Sequence, residues 1–296
     1  MTAGSFLKAE IASQPACWRQ ALGGLGRWRE ALPRSRERVA VVGCGTSWFM
    51  AQAYAVLREQ AALGLTDAFP ASEMPSGRGY DRLLAITRSG TTTEVLDLLA
   101  ALRGQCPTVA ITAGPATPVQ EIAGDSVVLD FADEHAVVQT RFATATLALL
   151  RAHLGRDLTG PLAEAEEALA ADLPPGALRQ TQFTFLGRGW SVGLANEAAL
   201  KMREAALAWA ESYPAMEYRH GPLSISGEPP RGLADEAART GALVVAESRD
   251  PMAELVRVQR LAAATALAKG LEPDNPRHLA RSVVLQPWTA SRRRVP

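Results

Sequence analysis

Val39-Ala-Val-Val-Gly43-Cys-Gly45-Thr-Ser47 is an apolar run that closes on two glycines and a serine. Four consecutive apolar residues ending in glycine read as a parallel strand buried on both faces. A helical pattern follows over 48–63. Leu186-Gly187-Arg-Gly189-Trp-Ser191 keeps the same glycine, glycine and serine spacing 144 residues later, again between an apolar strand and a long helical pattern. That offset is close to half of the 296 residues and reads as an internal repeat.

Outward from the first turn, further strands are predicted at 83–87, 108–112 and 126–130, with helices at 94–103 and 141–154. Residues 155–175, rich in Ala, Glu and Pro, read as a helical linker. The pattern then restarts, with a strand at 181–187, a helix at 194–211, a helix at 233–239, a strand at 242–246 and a helix at 252–269. Strands alternating with helices imply βαβ units and parallel sheets. The expected architecture is α/β, as two similar domains in tandem: a helical segment 1–36, a first domain 37–156, a linker 157–179, and a second domain with a tail 180–296.

Composition narrows the function classes. Thirty-one basic residues balance 31 acidic ones, so charge offers no case for a nucleic acid or an anionic membrane as partner. Apolar residues make up 47 %, as in a globular chain with a sizeable core. No apolar run approaches the roughly 18 residues that span a bilayer. The first ten residues lack a basic stretch followed by an apolar core, so a cytoplasmic protein is expected. Cys17, Cys44 and Cys106 form no close pair, which argues against a disulfide framework or a zinc site. Of the 31 basic residues only Lys8, Lys201 and Lys269 are lysines. A lysine kept in so arginine-rich a chain points to work a guanidinium cannot do.

Two turns have the character of anion sites, since small residues between strand and helix expose backbone N–H groups at a helix N-terminus. One is Gly43–Ser47. The other, Thr87-Arg88-Ser89-Gly90-Thr91-Thr92-Thr93, has five hydroxyls in seven residues, with Arg88 as a source of charge. A helix cap is the competing reading, but a cap uses one hydroxyl. No GxxxxGK[ST] loop is present, and Gly43-Cys-Gly45-Thr-Ser-Trp48 lacks the third glycine of a dinucleotide fingerprint.

Proton chemistry is suggested by Glu197, Lys201 and Glu204, whose i, i+4, i+7 spacing puts them on one helix face, with Glu211 a heptad further on. A surface ion ladder would look the same, yet apart from Asn196 and Arg203 the rest of that helix is Ala, Leu, Met and Trp. Downstream, His220 precedes a Gly-Pro turn, a loop setting suited to a catalytic group. Two carboxylates, an ammonium and an imidazole fit acid/base chemistry at neutral pH. No two of the four histidines have metal-ligand spacing, so neither a metal nor another cofactor is expected.

Taken in order, these residues resemble the tandem sugar isomerase (SIS) domain family, and in particular the isomerase half of glucosamine-6-phosphate synthase. The resemblance runs through Phe6–Pro15, Gly43–Ser47, Ser89–Thr92, Gln139-Thr140-Arg141, Glu197–Glu204, His220-Gly-Pro222 and Asp274–Ala280. It implies two flavodoxin-like domains, each a parallel sheet between helix layers, and a homodimer that shares its sites between subunits. It implies Ser47, Thr87, Arg88, Ser89 and Thr92 as sugar-phosphate contacts, with Gly45, Thr46, Val137 and Glu134 near the sugar. By the same resemblance Glu204 moves a proton between carbons 1 and 2, Lys201 and Glu197 are its helix partners, and His220, from the neighbouring subunit, opens the ring.

Three departures bear on activity. The resemblance begins where the isomerase half begins, without a glutaminase segment or N-terminal cysteine nucleophile, so ammonia from glutamine is not expected. Arg281 stands at the synthase's Schiff-base lysine, and a guanidinium forms no imine; Lys269 matches a different position. The stretch after Pro222 is short, with Ser226–Pro230 leading straight into a helix, so the second sheet is expected to lack a strand or be rearranged. The expected function is an isomerase or deaminase, or a deglycase, of a ketose, aldose or amino-sugar phosphate. The alternatives are a non-catalytic sugar-phosphate regulator and an ammonia-dependent aminotransferase-like enzyme.

Overall fold

The computed structural model describes residues 2–75, 77–223, 238 and 243–285. Its first sheet is parallel and five-stranded: β1 (Val39–Gly43), β2 (Thr66–Pro70), β3 (Arg82–Ile86), β4 (Thr108–Thr112) and β5 (Asp125–Val128), in the order β2-β1-β3-β4-β5. The central strands β1, β3 and β4 are buried at every position, as a parallel sheet covered on both faces requires. Covering helices include α1 (Ser5–Ala12), α2 (Gln14–Trp28), α3 (Thr46–Gln60), α4 (Thr93–Ala101), α5 (Pro118–Ile122) and α6 (Arg141–His153).

β2 was not expected. Asp67 and Pro70 interrupt its apolar run, and beyond Thr66 it is only half-buried, as a sheet edge allows. This edge strand sets the topology. The chain leaves β1 for β2, then crosses back to β3, so the winding reverses between β1 and β3. In open α/β sheets ligands bind at such a reversal, beyond the carboxyl ends of the strands. The turns after β1 and β3 meet there, and they are the two anion-site candidates.

The second half contains α7 (Thr159–Ala170), β6 (Gln182–Gly187), α8 (Ser191–Ala206), β7 (Trp209–Pro214) and α9 (Pro251–Ala268). Among the described residues its sheet has two parallel strands, β6 and β7, and a second full sheet is not seen there. One apolar core runs from Leu7 through the first sheet's helices to Ala266, joining both halves. The helix expected over 194–211 ends earlier: Leu207 takes a left-handed conformation (φ 47°), and the chain turns into β7. Glu211 therefore lies on a strand, not on the helix face of Glu197. Residues 243–246, part of the strand expected over 242–246, are irregular and mostly exposed. The turn 226–230 and, but for Ala238, the helix expected over 233–239 lie outside the described residues.

The repeated turns share one backbone solution. Gly45 and Gly189 both have positive φ, 55° and 57°. A Cβ on Gly43 would sit 2.7 Å from the Ser47 carbonyl carbon, and one on Gly187 would sit 2.3 Å from the Ser191 carbonyl oxygen. Only glycine lets each helix start so close behind its strand. Chain ends are tied together by Asp274, whose carboxylate accepts from the amides of Phe6 and Leu7 at the start of α1 (3.1 and 2.7 Å). No helix among the described residues is long and apolar enough to cross a membrane.

Candidate active site

A recess of about 250 Å³, counting its open mouth, lies at the reversal between β1 and β3. Ser47 lines it from the first turn, and Thr87, Arg88, Ser89 and Thr92 line it from the second. Thr92 stands just before α4 but makes no side-chain cap bond, so its hydroxyl is not spent on the helix. The Thr87 hydroxyl is buried without a hydrogen-bond partner. Ser89 Oγ accepts from the Thr91 amide and hydroxyl at 3.3 and 3.0 Å. Gly90 has φ 64°, and a Cβ there would meet Thr117 Oγ1 at 2.2 Å, so this turn too requires glycine.

Arg88 lines the recess, but its two terminal nitrogens are engaged elsewhere, and its buried Nε lacks a partner. It is 2 % exposed, and its guanidinium donates to the carbonyls of Ala136, Val137 and Arg281 at 3.1, 3.2 and 2.7 Å, with Glu134 Oε2 3.6 Å away. Burial lowers its basicity, and Glu134 opposes that effect. Glu134 is equally engaged. Its Oε1 accepts from the Thr140 hydroxyl at 2.9 Å and the Arg141 amide at 2.8 Å, capping α6. Neither Glu134 nor Val137 lines the recess.

Of the remaining lining residues, Cys44, Ile86, Val95, Gln139 and Arg281, none was singled out as a site residue, and two of them carry hydrogen-bonding side chains. Gln139 has its side-chain oxygen buried and without a partner, as Thr87 does; its membership of the Gln139-Thr140-Arg141 match was the available signal. Arg281 belongs to a tail laid across the second turn. The Ser282 hydroxyl accepts from Thr91 Oγ1 at 3.0 Å, the Val283 carbonyl accepts from the Thr93 amide at 3.2 Å, and the Leu285 amide donates to Thr93 Oγ1 at 2.9 Å. The Arg281 guanidinium pairs with the Asp133 carboxylate and the Glu134 carbonyl.

Glu197, Lys201 and Glu204 meet on α8 as their spacing predicted. Lys201 is 1 % exposed, and its ammonium is 2.5 Å from Glu204 Oε2, 3.1 Å from Thr46 Oγ1 and 3.3 Å from Glu197 Oε1. Burial works against the Lys201 charge, but the two carboxylates outweigh it and raise its pKa. Glu197 is completely buried; desolvation pushes its carboxyl up to about 7, against the pull of Lys201. Lys201 therefore links the Glu197 and Glu204 face to the first turn, since Thr46 adjoins Ser47 and Gly45. Lys269, the other lysine of the second half, donates to the Ala206 carbonyl at the end of α8 (2.9 Å).

His220 ends the short helical turn after β7, is exposed, and does not line the recess. Among the described residues no group of three or more His, Cys, Asp or Glu is disposed to hold a metal ion.

Comparison with known proteins bears on this geometry. No family model matches the chain. A glutamine–fructose-6-phosphate aminotransferase (isomerizing) of Nostoc sp. is 28 % identical over 95 % of the chain, and the chain spans 59 % of that relative's length. The chain is homologous to the isomerase half of that enzyme. Among solved structures, a glucosamine-6-phosphate deaminase from Thermotoga maritima aligns with TM-score 0.77 and 25 % identity, covering 95 % of this chain and all of the other. A tagatose-6-phosphate ketose/aldose isomerase from Escherichia coli aligns with TM-score 0.79 over 98 % of this chain and all of the other; at 18 % identity it speaks for the fold alone.

Proposed function

We propose that the chain is an enzyme that isomerises or deaminates a phosphorylated ketose, aldose or amino sugar. The phosphate would lie in the recess, against Ser47, Thr87, Ser89 and Thr92, with helix N-termini rather than a free guanidinium supplying the positive potential. Arg88 would act indirectly, by holding the 136–137 backbone and the tail in place. His220 would open the ring, and its exposure fits a role in a site completed by a second copy of the chain. Glu204 would take the proton from carbon 2 of the open chain and return it to carbon 1 through an enediol or enolamine.

The observation that carries this reading is the Lys201 ammonium, 2.5 Å from Glu204 and 3.1 Å from Thr46. It pairs the proposed proton-transfer carboxylate with a buried cation beside the turn that would carry the phosphate. A regulator that only bound its ligand would need no buried ammonium there. Lysine-dependent aminotransfer gains no support, since Arg281 forms no imine and is paired with Asp133.

The test is exchange with deuterated water of the carbon-1 proton of fructose 6-phosphate and of the carbon-2 proton of glucosamine 6-phosphate. Glu204→Gln is expected to keep affinity and to lose about 10²–10⁴ in exchange rate. If the unsubstituted protein binds both sugars yet exchanges no proton and releases no product, the regulator reading replaces this one.

A further inference from the structure

A second cavity, about 630 Å³ counting its open mouth, lies at the start of α8 and shares no lining residue with the recess. It is bounded by Gln60 at the end of α3, Arg151 near the end of α6, Arg156 in the following turn, Trp190 ahead of α8, and Asp250 ahead of α9. Its size is that of a small-molecule site. The internal repeat gives its location meaning, for Trp190 stands 144 residues after Thr46, in the turn that copies the first anion-site candidate.

The copied turn keeps the backbone and changes the chemistry. The Ser191 hydroxyl is closed on its own turn, donating to the Arg188 carbonyl at 2.9 Å and accepting from the Arg188 amide at 2.8 Å. Hydroxyl donors of the Ser89 and Thr92 kind are thus not on offer. Guanidinium groups take their place. Arg156 is exposed and has no side-chain partner among the described residues. Arg151 is 7 % exposed, and its Nε is buried without an acceptor. Asp250 is the one acid among the lining residues, and it is neutralised by two contacts to Arg151 at 2.9 and 2.7 Å. These three residues leave one net positive charge at the mouth.

The remaining lining suits a hydroxylated body behind an anionic head. Trp190 is half-buried, with Arg151 Cζ 4.8 Å from its ring centroid, and the rest of the indole can take the C–H face of a sugar. The Gln60 amide offers a donor and an acceptor for hydroxyls. It lies against the turn, where a Cβ on Gly189 would meet its nitrogen at 3.3 Å. We propose that this cavity is a second ligand site, separate from the recess, for a small anionic carbohydrate gripped by Arg156 and stacked on Trp190.

Calorimetry of the full chain at low ionic strength, with fructose 6-phosphate and with inorganic phosphate, tests this. Two classes of site are expected for the sugar phosphate. Arg156→Ala should weaken one class by about tenfold or more, as loss of a charge-assisted contact implies. Arg156→Lys should recover part of that loss, Trp190→Ala should weaken the same class for the sugar and not for phosphate, and Ser89→Ala with Thr92→Ala should weaken only the other class. A single class that responds to Ser89 and Thr92 alone overturns this proposal and leaves the proposed function standing. A single class that responds to Arg156 alone does the reverse. A second class untouched by both Arg156→Ala and Trp190→Ala, or no binding at millimolar concentration, also overturns it.

Discussion

Asn196 donates through its side-chain amide to Gln52 Oε1 at 2.8 Å, and the two residues are 144 positions apart, the offset of the internal repeat. Gly193 and Phe49, which also meet, share that offset. Close packing at this crossing follows from Gly193, where a Cβ would meet the Phe49 carbonyl oxygen at 2.4 Å. The helices that start behind the two glycine turns therefore cross at their equivalent faces. That crossing brings Lys201 of α8 to Thr46 of α3.

Asn196 also accepts from the Ser212 hydroxyl at 2.8 Å, tying the crossing to β7. Asn196→Ala leaves Gln52 and Ser212 without this partner, and should cost about 1–3 kcal/mol. Urea denaturation should show a lower midpoint at an unchanged slope.

Loss of two hydroxyls should weaken the recess without unfolding it. On the proposed reading, Ser89→Ala with Thr92→Ala would remove two contacts to a charged oxygen, each worth roughly 1.5–3 kcal/mol, so sugar-phosphate affinity should fall on the order of a hundredfold or more. Calorimetry that finds unchanged affinity would remove this turn from the site.

Exposure of His220 away from the recess leads to a complementation experiment. Glu204→Gln chains and His220→Ala chains, each inactive alone, should regain part of the activity when mixed. Native mass spectrometry must confirm that the subunits have exchanged. An exchanged dimer with no activity would place both groups in one subunit.

Glu10 predicts a pH effect. It is 2 % exposed, its Oε1 accepts from the His135 and Ala136 amides, and its Oε2 has no partner. Burial, then repulsion from Glu134, raises its carboxyl to about 7 from 4.5. A carboxyl that is more basic in the folded chain than in the unfolded one favours folding below about pH 4.5, and that contribution is lost as pH rises through 7. Glu10→Gln should therefore match the unsubstituted protein at pH 4.5 and exceed it at pH 8, by up to about 3 kcal/mol. Thermal midpoints across that range check the sign.

What sequence could and could not reveal divides along physical lines. β1, β3 and β4 were legible because strands buried on both faces leave near-continuous apolar runs. β2 was not, since an edge strand tolerates Asp67 and Pro70. The face of Glu197, Lys201 and Glu204 follows from helical period alone. Its expected extension to Glu211 failed because an apolar, Ala-rich stretch satisfies helix and strand alike, and the left-handed Leu207 leaves no mark in composition. Charge is the least legible property. Arg88 stands in the hydroxyl-rich turn as an anion ligand would, and only the fold shows that its two terminal nitrogens donate to carbonyls. Gln139 and Arg281 reach the recess from distant segments, which local spacing cannot report.

The clasp between Asp274 and the first turn of α1 has a kinetic consequence. It joins residues 268 positions apart, and the Gly4 amide repeats the span by donating to Glu272. Closing a loop of that length costs about 5 kcal/mol of chain entropy, so the clasp has to be among the last contacts made. On a ribosome adding about 5–20 residues per second, α1 waits on the order of ten seconds or more for its cap. Leu7 and Ile11, fully buried in the finished fold, spend that interval without the segment that fastens their helix down.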